Sequence, residues 1–161
     1  MSKFDQRKYE REAPGYLTYP PDIEGGAWCL ICCFALLLSM ILKAPIYPRT
    51  LNSLLKRNDG YTNGAEIIYS VIKRLFRIDM QLDFYHGKKK NPELVIAPAI
   101  ISYDIIPGDD YNSHFVLVIS TDYKNDKLKG FLIYDPLIDR TKYISRNKLN
   151  DFICTIINIK T

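Results

Sequence analysis

One run in this chain carries almost no polar side chain: Trp28-Cys-Leu-Ile-Cys-Cys-Phe-Ala-Leu-Leu-Leu-Ser-Met-Ile-Leu42. A helix that is apolar on every side has no face to offer water, so it must be enclosed. With Ala27 the stretch covers residues 27–42, short of the about 20 residues that cross a bilayer as a helix. The spacing therefore predicts a core helix in a soluble protein with no membrane span. Gly25-Gly26 open the run, and Pro45 and Pro48 close it. A chain of 161 residues with 47% hydrophobic content is long enough to build a core around such a helix.

The remaining composition narrows the classes. A formal charge of +4, with acids and bases interspersed, lacks the concentrated basic face of a nucleic-acid binder. Lys88-Lys89-Lys90, between His86-Gly87 and Asn91-Pro92, reads as a solvated turn. Three of the four cysteines, Cys29, Cys32 and Cys33, fall within one short apolar run, with Cys154 far away. That is not the dispersed framework of a disulfide-stapled secreted domain, so reduced thiols are expected. The first residues are charged and lack the apolar core of a signal peptide.

Residues 1–26 are polar and carry Phe4, Tyr9, Tyr16, Tyr19 and three prolines, and are expected to form an extended arm that docks on protein partners or across the domain's own cleft. Residues 27–161 are expected to form the domain itself. After the apolar helix, the pattern predicts a helix over 49–56 with Leu51, Leu54 and Leu55 on one face. A second helix over 63–77 is predicted, opened by a capping box of Asn63 and Glu66. The runs 80–85, 94–103, 115–121 and 131–134 are β-branched or aromatic, with a hairpin marked by Asn125-Asp126 and Gly130. A short helix over 147–152 and a last strand over 155–159 follow. Helices first and an antiparallel sheet second make the fold class α+β.

Chemistry concentrates on three residues. Cys29 opens the enclosed helix, where unpaired N–H groups and the helix dipole favour a thiolate. Only two histidines are available as a base, and His114 begins the most apolar strand, His-Phe-Val-Leu-Val-Ile, sharing a face with Val116 and Val118. Phe131-Leu-Ile-Tyr ends in Asp135-Pro136, and adjacent antiparallel strands would set Asp135 beside His114 to orient its ring.

Read in order, Cys29-Leu-Ile-Cys-Cys-Phe-Ala, Tyr47-Pro-Arg-Thr-Leu-Asn52, Gly60-Tyr61, His114-Phe-Val and Tyr134-Asp-Pro136 resemble the motifs of papain-like cysteine peptidases of the bacteriocin-processing type. The resemblance runs from Trp28 to about the C-terminus. It implies a papain-like fold, a Cys29-His114-Asp135 triad, no cofactor or metal, and a peptide or peptidoglycan-like substrate. One position departs from it. Members of that family carry a glutamine a few residues before the cysteine, as a donor to the oxyanion. Here the stretch is Pro21-Asp-Ile-Glu-Gly-Gly-Ala-Trp28, in which Asp22 or Glu24 would repel an oxyanion. Gln6 is the only glutamine upstream, and it would need the arm to fold back.

Other readings remain open. The triad residues also fit an inactive member of the fold, serving as a structural or binding component, for example of a phage particle. Trp28-Cys29-Leu-Ile-Cys32 matches a thioredoxin-like pattern, but the polar stretch before it cannot be the buried strand that motif follows. A zinc site would need further ligands in good geometry. Cys32 and Cys33 read as small core side chains.

Overall fold

The computed structural model describes residues 2–9, 12, 15, 28–63, 66–84, 91–104, 113–149 and 153–160. The chain gathers into two compact units, one made of residues 1–79 with 136–139 and 161, the other of 80–135 with 140–160. The class is α+β, helical in the first unit and built on a sheet in the second.

In the first unit the apolar run forms α1 (Trp28–Leu42). Between Trp28 and Leu38 every side chain but Leu30 and Leu36 is buried, and those two are half-buried, while Met40 and Leu42 at the C-terminal end are exposed. Ser39, the lone hydroxyl of the run, bonds back to the carbonyl of Ala35 at 2.7 Å and accepts from the N–H of Ile46 at 2.8 Å, which ties down the turn that follows. Helix α2 (Pro48–Arg57) buries Leu51 and Leu55, with Pro48 at its first turn. Helix α3 (Tyr69–Phe76) starts later than the predicted 63–77, and no capping box forms. The N–H of Thr62 bonds to the carbonyl of Glu66, and the N–H of Ile68 to that of Gly60, with a bridge between Tyr61 and Ile67. This closed turn commits the backbone through Ile68, so helical bonding can begin only after it.

The expected extended arm over residues 1–26 falls largely outside the described residues. Among those described, Gln6–Tyr9 make one 3-10 turn against α1, with Asp5, Gln6 and Tyr9 buried. Tyr9 supplies the reason. Its ring stacks on Trp28 at 4.6 Å between centroids, and Trp28 Nε1 donates to the carbonyl of Glu12 at 3.0 Å. Of the aromatic residues that suggested docking, Phe4 and Tyr9 thus meet rings within the same unit, while Tyr16 and Tyr19 lie outside the described residues.

The second unit is a six-stranded sheet of β1 (Asp79–Phe84), β2 (Ala99–Asp104), β3 (Ser113–Lys124), β4 (Lys127–Asp135), β5 (Arg140–Ser145) and β6 (Ile153–Lys160), in the order β1-β6-β2-β3-β4-β5. The pairs β6-β2, β2-β3, β3-β4 and β4-β5 are antiparallel. Asn125 and Asp126 both take left-handed φ, at 52° and 58°, as a tight two-residue hairpin turn demands. The predicted strand over 94–103 starts only at Ala99. Pro92 begins a 3-10 turn that Asn91 caps, and Pro98 has no N–H to give a ladder. Strand β5 was not expected, because it is an edge strand with charged Arg140 and Lys142. One face of the sheet holds a core of Ala99, Ile101, Val116, Val118, Phe131, Ile133, Ile144 and Ile156, which Leu149 of α4 (Arg146–Leu149) joins.

Candidate functional site

Strand alternation and register decide where His114 and Asp135 fall. His114 is the second residue of β3 and opposes Tyr103 of β2. Two and four residues on, Val116 and Val118 enter the core, so the imidazole continues an apolar row at its rim. Strand β4 pairs Leu117 with Tyr134 and ends one residue later at Asp135. The result is a direct contact: His114 Nε2 lies 2.6 Å from Asp135 Oδ1, with the two side chains only 6% and 4% exposed.

This pair is not alone. Lys142 Nζ sits 3.3 Å from the other carboxylate oxygen, Asp135 Oδ2. Tyr103 meets the imidazole edge to face, with centroids 6.1 Å apart and an interplanar angle of 81°. Burial pushes the Tyr103 phenol up to about 12, and the charge of Asp135 adds to the shift. Tyr103 and Lys142 are the neighbours that the sequence did not single out. Tyr103 could have been found from its place at the end of the strand before His114, whereas Lys142 lay on the strand that was missed.

Cys29 belongs to the first unit. It is the second residue of α1 and is 8% exposed, against 0% for Cys32 and Cys33. None of the four cysteines is in a disulfide. Burial pushes the Cys32 thiol well up, and Cys29 and Asp5 add to it, the reverse of what a nucleophilic thiol needs. Gln6 is 3% exposed, and its N–H donates to the carbonyl of Pro136 at 3.0 Å. Among the described residues its buried Oε1 has no hydrogen-bond partner. The structure therefore brings His114 and Asp135 together, and places Cys29 and Gln6 in the unit that also contains Pro136, the residue after Asp135. Asp22, Glu24 and His86 lie outside the described residues.

The first unit also carries a surface pocket of about 410 Å³ lined by Lys3, Lys8, Tyr9, Tyr47, Arg49 and Thr50. Lys3 Nζ stands 4.2 Å over the Tyr47 ring, while Arg49 pairs with Glu12. Among the described residues, no group of three or more His, Cys, Asp and Glu side chains could hold a metal, and no helix is long and apolar enough to cross a membrane. No protein-family model matches the chain, and no curated protein matches it.

Proposed function

We propose that the protein is a cysteine peptidase of papain-like type, in which Cys29 is the nucleophile, His114 the base and Asp135 the residue that orients it. The observation that carries this reading is the buried 2.6 Å contact between His114 and Asp135. A carboxylate there holds the proton on Nε2 and leaves Nδ1 to serve a thiol. In the proposed reaction Nδ1 takes the Cys29 proton as sulfur attacks an amide carbonyl. The same proton passes to the departing amine as the carbon–nitrogen bond breaks, leaving a thioester. Water, deprotonated by His114, then releases the acid and restores the thiol. The Cys29 backbone N–H supplies one oxyanion donor. Gln6, the one glutamine before Cys29 and a member of the same unit, is the candidate for the second. The substrate class is a peptide or a peptidoglycan-like peptide.

The test is labelling by a peptidyl vinyl sulfone followed by peptide mapping. The reading predicts one adduct, on Cys29, formed on the order of a hundredfold more slowly in His114→Ala. Labelling that ignores the loss of His114 overturns it. A second reading, an inactive member of the fold used as a binding component, draws support from the cationic, aromatic-walled pocket of the first unit. It predicts an inert Cys29 and binding that Lys3→Ala and Lys8→Ala weaken, read by titration calorimetry against an anionic peptide.

A further inference from the structure

The alternation of β5 contains one misfit. Ile144 enters the core, and two residues earlier, on the same side of the strand, stands Lys142. Register agrees, since Lys142 opposes the core residue Ile133 while Arg140 opposes Asp135. A cation on the core side of a sheet is costly unless a partner meets it. Here the partner is Asp135, whose Oδ2 faces Lys142 while its Oδ1 faces His114. A buried carboxylate is thus shared between an imidazole and an ammonium whose side chain is 39% exposed.

We propose that Lys142 is a positioning residue for His114: it fixes Asp135 by its second oxygen and weakens the hold of the imidazole on its proton. The role rests on His114 being the base of the proposed reaction. Without Lys142, the carboxylate would give more of its stabilisation to the imidazolium. With it, the carboxylate is shared and the ammonium repels a second cation across it. Within this unit, among the described residues, the titratable groups that meet the ring or its carboxylate are Tyr103 on β2, Asp135 on β4 and Lys142 on β5, while Arg140 on β5 opposes Asp135 in register. Tyr103 stays neutral until about 12 and adds no charge. Lysines on edge strands also discourage pairing between molecules, but that role needs no contact with Asp135 and would leave the imidazole untouched.

The experiment is an NMR titration of the full chain carrying His86→Gln, which leaves His114 as its one histidine. Lys142→Met, with Lys142→Gln as a second neutral replacement, should raise the midpoint of His114 by about half a pH unit or more. Lys142→Arg should keep the original midpoint, and added salt should narrow the gap between charged and neutral variants. An unmoved midpoint in both neutral variants, or an equal shift in Lys142→Arg, overturns the assignment. The readout is the imidazole itself, so it separates two failures. A shifted midpoint with an inert Cys29 keeps Lys142 and removes the peptidase reading. A reactive Cys29 with an unmoved midpoint does the opposite.

Discussion

At the scale of single residues, burial sorts groups of one type into different chemistries. Cys29 is the least enclosed of the three thiols in α1, and Cys32 and Cys33 have no exposed surface. Iodoacetamide should therefore alkylate Cys29 in the native protein while Cys32 and Cys33 react only after denaturation, a contrast that mass spectrometry reads directly. Equal protection of all three would make Cys29 a core residue. The tyrosines divide in the same way. The phenols of Tyr9, Tyr69 and Tyr103 are each pushed up to about 12, burial being the largest cause. A phenol that stays neutral in the fold but ionises near 10 in the unfolded chain leaves stability intact below that lower value. That stability is lost as pH rises from 10 toward 12. Ultraviolet difference absorbance should show this late-titrating group, and denaturation midpoints should fall across the same window. Single-phase titration of all tyrosines near 10 would contradict the burial of these three.

Elements were legible where periodicity and terminal chemistry agreed, and illegible where a neighbouring turn or strand decided the outcome. Helix α1 could be read because nothing but enclosure suits fifteen residues with a single polar one. Helix α3 was read too long, since Asn63 and Glu66 have the spacing of a capping box but their segment folds into a closed turn. Strand β5 was missed because its inward Lys142 breaks the apolar alternation, and only a partner on β4 explains it. Gly130 was read as a turn residue, yet it lies inside β4, where a Cβ would come 2.4 Å from the carbonyl oxygen of Ile144 and 2.6 Å from the Tyr143 hydroxyl. Gly130→Ala should therefore cost about 1–3 kcal/mol in chemical denaturation, and a neutral result would mean that the β4-β5 edge moves apart freely. Asn158 on β6 accepts from the N–H of Ile96 at 2.9 Å and donates to the carbonyl of Leu94 at 2.7 Å. Asn158→Ala leaves both backbone groups unmet and should cost on the order of 2 kcal/mol; an unchanged unfolding midpoint would show that the segment before β2 is held by other means.

For the whole molecule, the order of helices before strands made α+β readable, and the spacing of His114 and Asp135 made their meeting on neighbouring strands readable. The packing of Gln6–Tyr9 was not, because its cause is a ring-on-ring contact between Tyr9 and Trp28 that no periodicity announces. Trp28 is the one tryptophan and is fully buried, so its fluorescence reports on that contact. Deleting residues 1–26 should shift its emission to the red and lower the thermal midpoint by roughly 4 °C or more; unchanged emission would mean that this segment does not cover α1. The central proposal is that Cys29 and His114 work on the same bond. The direct measurement is cross-linking with 1,3-dibromoacetone, which reaches only between a thiol and a second nucleophile close beside it. The account predicts one intramolecular bridge joining the Cys29 peptide to the His114 peptide, absent in Cys29→Ser and in His114→Ala. A Cys29 that is alkylated without bridging, or bridged to Cys32 instead, would contradict it.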